Sequence, residues 1–179
     1  KERGWSNPNL VAYMESHDEE RLMVKNLLYG NNSGTYSVKD LPTALKRQEL
    51  AAAFFFTLPG PKMIWQFGER GYDLSINYPS GTANDRLSNK PPLWDYMKDP
   101  NRKALYDVYS KLIKLRIKQD VFEKANFTYS LAGAVKTIHL NDAQLNVTVV
   151  GNFDVTPQSS DLNFPVTGKW YDYLTGDSI

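Results

Sequence analysis

Two short apolar runs flank a helical segment, and that order constrains the fold of this chain more than any other feature. Residues 10–14 (Leu10, Val11, Ala12, Tyr13, Met14) are almost continuously apolar. A run of that kind predicts a strand buried on both faces rather than an alternating surface strand. Pro42 then suits the first turn of a helix that continues through Leu45 and Leu50 to about Thr57, where Pro59-Gly60-Pro61 stops it. Residues 62–67 (Lys62, Met63, Ile64, Trp65, Gln66, Phe67) form the second strand candidate, closed by Gly68. Strand, helix, strand in this order predicts a βαβ unit with parallel strands.

The remainder divides by period. Residues 29–40 read as a loop, and residues 72–100, rich in Pro, Gly, Asn, Asp and Ser, as a long irregular excursion of the sort that often carries function. Asp99-Pro100 opens the clearest helix. Leu105, Val108, Tyr109, Leu112 and Ile113 place one apolar stripe along it, and it runs to about Lys118. From Phe127 the period becomes two, and strands are predicted over 127–131, 135–140, 145–150 and 170–174. Thr175-Gly176-Asp177-Ser178 is a turn signal that normally introduces another strand.

Charge and cysteine exclude several function classes. With 21 basic and 20 acidic residues well mixed, net +1, the chain has no clustered basic footprint for a nucleic acid or a membrane surface. The longest apolar run, residues 51–56, is far short of the ~20 residues that span a bilayer. Cysteine is absent, which excludes disulfides, thiolate metal sites and cysteine nucleophiles.

The chemically interesting object is the charged burst at the end of the first strand: Glu15, Ser16, His17, Asp18, Glu19, Glu20 and Arg21. In parallel α/β folds, side chains just past the C-terminal ends of strands line the active-site face. Glu15, His17 and Asp18 sit there, as does Glu69 after the second strand. Carboxylates with a histidine serve acid–base work, metal ligation or hydrogen bonding to sugar hydroxyls, and residue types alone do not choose among them. The plain alternative is a solvated loop in which Asp18 or Glu19 caps the next helix.

Five ordered segments resemble the α-amylase family of glycoside hydrolases. Tyr13-Met14-Glu15-Ser16-His17-Asp18 is similar to the family's last signature motif, which ends in His-Asp after the seventh barrel strand. Residues 57–69, with Pro59-Gly60, Trp65, Phe67 and Gly68-Glu69, resemble the stretch entering and leaving the eighth. Pro91-Pro92-Leu93-Trp94 resembles the Pro-x-x-Trp segment before the last barrel helix, and Leu112-Ile113-Lys114-Leu115-Arg116 that helix's ending. The β tail fits the domain that follows the barrel.

The resemblance implies an α/β part followed by an all-β part. Residues 1–122 would be the C-terminal portion of a (β/α)8 barrel, with strands seven and eight, and residues 123–179 an antiparallel β-sandwich domain, truncated. It implies a retaining glycosidase acting on α-linked glucans such as starch and malto-oligosaccharides. Asp18 would be the third carboxylate, bonding the hydroxyls of the sugar under attack and stabilising the transition state, with His17 donating to the same sugar. Glu15 lies in the motif without an assigned role, and Ser16 replaces the commonest Asn.

Tyr72 and Asp73, just past the eighth strand, are candidate sugar contacts. Trp65 and Trp94 are either stacking platforms or core, and His139, alternating along a tail strand, is expected at the surface. The nucleophile and the acid/base belong to the fourth and fifth strands, which no segment here resembles, so this stretch alone is expected to be inactive. The family's metal loops also lie upstream. No cofactor or metal is expected on these residues, and a structural calcium is an expectation for the full-length parent only. Asp85 and Asp95 read as loop residues. Exposed barrel surface predicts self-association, and the family analogy an exported parent. The competing readings are a non-catalytic member, a transglycosylase of the same family, and a glucan-binding module in the β tail.

Overall fold

A computed structural model describes residue 4, residues 6–124 and residues 126–179. β1 (Ala12–Tyr13) and β4 (Lys62–Met63) pair in parallel, with Ala12 opposite Lys62 and Tyr13 opposite Met63. The crossover between them carries α1 (Leu22–Tyr29), a small hairpin of β2 (Asn32–Ser33) and β3 (Tyr36–Ser37), and α2 (Leu41–Thr57). The expected loop at 29–40 therefore contains a hairpin, turning at Gly34 with φ +56°.

Both parallel strands are shorter than their apolar runs, and the first is not buried on both faces. Leu10, Val11 and Tyr13 are exposed. The expectation fails because, among the described residues, β1 pairs only with β4 and nothing covers its other edge.

α2 is buried on two sides, which explains its apolar composition. Ala44, Leu45, Gln48, Ala52, Phe55 and Phe56 recur at helical spacing and are buried; all but Gln48 join Met23 of α1 and the inner face of α3 (Pro100–Lys118) in one core. Leu50 and Phe54, one turn apart on the other side, pack against the β region. Leu58 leaves the helix in an extended conformation ahead of Pro59, as a residue before proline must. The carbonyls exposed at this end are taken by Arg116 of α3, which donates to Phe56 O (2.9 Å), Leu58 O (2.7 Å) and Gly60 O (2.9 Å).

α3 starts where the sequence places it. The Asp99 carboxylate accepts from the Asn101 and Arg102 backbone N–H groups at 2.8 and 3.3 Å, and Pro100 occupies the first turn. Leu105, Tyr109 and Leu112 are buried from its stripe, with Tyr109 edge-on to Phe56 at 5.1 Å.

β5 (Phe127–Ser130), β6 (Val135–Asn141) and β7 (Asn146–Asn152) form an antiparallel sheet in the order 5-6-7. Ile138, Leu140 and Val149 face Phe54, Val121 and Phe122. The layer against the sheet is therefore α2 with the short turn at Asp120–Phe122. Among the described residues from 126 onward this is the one sheet, so the second sheet that a sandwich requires is not formed there. Arg47 of α2 reinforces the docking by donating to Asn152 O and Asp154 O at 2.9 and 3.1 Å. His139 is half-buried rather than at the surface, its Nδ1 3.0 Å from Thr148 Oγ1 across the β6–β7 pair. The strand expected at 170–174 is also corrected: Tyr171 bridges Ser178, and Trp170 and Ile179 exchange backbone bonds at 3.0 Å, so this segment folds back on itself at Gly176. No helix among the described residues is long and apolar enough to cross a membrane.

Candidate functional site

The charged burst lies at the C-terminal end of β1, and β4 runs in the same direction beside it, so residues 15–21 and 64–73 share one rim. Within the burst, burial separates the residues. Glu15 is almost enclosed: its carboxylate accepts the Leu22 N–H at 2.8 Å, at the start of α1, and meets Arg21 Nη1 at 3.4 Å. Burial raises its pKa against the lowering effects of Leu22 and Arg21. Gly68 is needed here, because a Cβ at that position would lie 2.6 Å from Glu15 Oε1. Arg21 is itself buried, its guanidinium 4.7 Å from the Tyr72 ring and 5.8 Å from the Trp65 ring.

His17 and Asp18 point outward. His17 stands against Trp65, with ring centroids 5.9 Å apart. Asp18 is exposed, at 67% of its side-chain surface, and pairs with Arg86 Nη2 at 2.6 Å. The hydrogen bond from Arg86, and then its charge, hold the Asp18 carboxyl below the usual range, so it is ionised across neutral pH. Ser16 bonds Glu19 and also accepts the Asp18 N–H at 3.2 Å, which fixes the loop. Glu20 reaches the excursion after β4 and accepts from Ser75 Oγ (2.6 Å) and Ile76 N (2.9 Å).

The two candidates after the second strand have other partners. Tyr72 is 1% exposed, stacked on Phe67 at 6.0 Å, and its hydroxyl donates to Pro91 O at 2.8 Å. The candidate sugar contact is therefore enclosed, with its hydroxyl already bonded within the chain. Asp73 is half-buried; one carboxylate oxygen accepts from Tyr96 Oη and the other from Arg102 Nη2 at 2.7 Å. Arg102 is buried and also donates to Arg70 O and Gly71 O, so Asp73 belongs to the brace that shapes this loop. Trp65 is half-buried between His17 and Arg21. Trp94 is 64% exposed, with Arg70 over its face at 4.9 Å, and is not core. Glu69 pairs with Arg70 at 3.1 Å.

Sequence reasoning thus placed His17 and Asp18 on the open rim and missed Glu20, Arg21 and Arg86. Glu20 and Arg21 lay inside the recognised burst. Arg86 is a lone arginine in an aperiodic loop, and no local signal marks it. The hollow between Met14, Glu15, Trp65, Gly68 and Tyr109 measures about 10 Å³, room for one water and not for a sugar ring. The open rim carrying His17 and Asp18 is the part of this end that a larger molecule can reach. No group of three or more His, Asp or Glu side chains among the described residues is arranged to hold a metal ion.

No family model and no curated protein matches the sequence. Solved structures match its fold. AmyP in complex with maltose superposes on 98% of the chain with a TM-score of 0.70 at 16% identity. A pullulanase from Anoxybacillus sp. LM18-11, complexed with maltotetraose, covers 98% with a TM-score of 0.64 at 18% identity. An acarbose-soaked debranching enzyme from Nostoc punctiforme covers 81% with a TM-score of 0.54 at 16% identity. The chain spans 37%, 26% and 24% of those structures respectively. At these identities the likeness is one of fold, and the fold of this chain is that of part of the α-amylase-type glycoside hydrolases its motifs resemble.

Proposed function

We propose that this chain supplies one wall of the substrate site of a retaining glycosidase acting on α-linked glucans. β1 and β4 are then the last two strands of a (β/α)8 barrel within residues 1–122, and residues 123–179 the β domain that follows. The carrying observation is Asp18: an exposed, ionised carboxylate beside His17 at the C-terminal end of a parallel strand. Such a carboxylate accepts hydrogen bonds from sugar hydroxyls, and these strengthen as positive charge develops on the ring. His17, held against Trp65, donates to the same sugar. The nucleophile and acid/base come from outside these 179 residues, so the chain alone does not turn over substrate. Maltose, maltotetraose and acarbose in the similar structures support the substrate class.

The test is turnover of a malto-oligosaccharide by the full-length protein and by its Asp18→Asn variant. The expected loss is on the order of a thousandfold in kcat. A full-length wild type that cleaves no α-glucan overturns the reading and favours a non-catalytic member. The exposed row Leu10, Val11, Tyr13 and Ile64 beside β1 and β4 is the barrel surface that the missing strands would cover. The 179-residue chain by itself should self-associate; a stable, cooperatively unfolding monomer in sedimentation and urea titration counts against the barrel assignment.

A further inference from the structure

Asp18 is held at three of its polar atoms. Its N–H donates to Ser16 Oγ at 3.2 Å, and a single nitrogen of Arg86, Nη2, donates both to Asp18 Oδ1 at 2.6 Å and to Asp18 O at 2.5 Å. One guanidinium nitrogen that clasps the side chain and the main chain of the same residue fixes its side-chain rotamer. Among the described residues no hydrogen bond is made to Oδ2, the oxygen that the clasp leaves for a ligand.

Arg86 is itself anchored. It follows the 3-10 turn at Ala83–Asp85, with its N–H bonded to Ala83 O at 3.2 Å. Asp85 accepts from Ser80 N (3.0 Å) and Ser88 Oγ (2.7 Å), and Lys90 Nζ ties Asp85 O and Ser88 O at 2.9 and 2.7 Å. At its start the same loop is pinned by Ser75 and Ile76 to Glu20. The loop is thus attached to the strand-end cluster at two places, Glu20 and Asp18. The Arg86–Asp18 pair is solvent-exposed, and exposed pairs contribute little to fold stability. Its consequence is orientation.

Resting on the proposed glycosidase reading, we infer that Arg86 is a positioning residue: it clasps Asp18 so that Oδ2 is presented to the sugar hydroxyls. Asp18 touches the substrate and Arg86 acts through it.

The test compares wild type, Arg86→Gln and Arg86→Lys in the full-length protein, by malto-oligosaccharide kinetics across the acid limb and by hydrogen exchange. For Arg86→Gln, kcat should fall about tenfold or more, in line with the cost of a misplaced catalytic group, with KM changed less than about twofold. Its acid limb should move to higher pH, and Arg86→Lys should recover part of both effects. Exchange at residues 15–20 and 80–90 should quicken in Arg86→Gln. Unchanged kcat, acid limb and exchange overturn the inference. So does a rise in kcat/KM, which would mean that the guanidinium competes with the sugar for Asp18. A wild type inactive on every α-glucan removes the glycosidase reading, and exchange still decides the tether: unaltered exchange in Arg86→Gln overturns it.

Discussion

Glu15 and Arg21 meet 3.4 Å apart with both side chains almost fully enclosed, and enclosure disfavours the charge on each. Burial raises the Glu15 pKa above 4.5 and lowers that of Arg21. The contact is single and long, so the attraction does not offset the loss of hydration.

The sign of the resulting pH dependence is fixed by the raised value. The fold binds the Glu15 proton more tightly than the unfolded chain does. That contribution to stability is fully present below 4.5 and is lost as pH rises through the folded value. Glu15→Gln resembles the protonated acid and still accepts the Leu22 N–H. It should match wild type in acid and melt above it at neutral pH. Thermal melts over this range check it, and a neutral-pH variant less stable than wild type would show that the ion pair outweighs burial.

Lys62 behaves in the opposite sense. Its ammonium donates to Pro59 O and Gly60 O at 3.1 and 2.7 Å, and burial, then the nearby Arg116 charge, brings its pKa down to about 8. Between about 8 and 10.5 the unfolded chain holds the proton and the fold does not, so stability should rise with pH across that interval. Lys62→Met should lack the rise. Parallel pH curves for the two proteins would refute the shift.

Docking of the β sheet on α2 depends on a missing side chain. A Cβ at Gly151 of β7 would lie 2.3 Å from Leu50 Cδ1 and 2.8 Å from Phe54 Cε2. Gly151→Ala should therefore cost about 1–3 kcal/mol in urea unfolding. A loss below about 0.5 kcal/mol, the range of an indifferent surface change, would mean that the interface is looser than the packing indicates.

Tyr72→Phe separates fold from function. Losing the bond to Pro91 O should lower stability by about 1 kcal/mol, while KM for malto-oligosaccharide in the full-length protein stays unchanged. A several-fold rise in KM would return Tyr72 to the sugar side.

The sequence by itself determined what short-range rules control. Asp99-Pro100 starts α3 and Pro59 ends α2 because capping and φ restriction act within a turn of chain. The stripe Leu105, Tyr109, Leu112 is legible because a helix repeats every 3.6 residues. His17 and Asp18 were legible as rim residues because the apolar run of the strand stops where the charged burst begins. Only the tertiary structure decided which charges in the burst are open and which enclosed, since Glu15 and Asp18 look alike in sequence and differ by what packs over them. It also brought Arg86 to Asp18 across 68 residues, a pairing set by where a loop returns and not by any period. The burial of Tyr72 and the exposure of Trp94 were decided in the same way: aromatic residues in an aperiodic stretch are buried or exposed by neighbours that the local sequence does not contain.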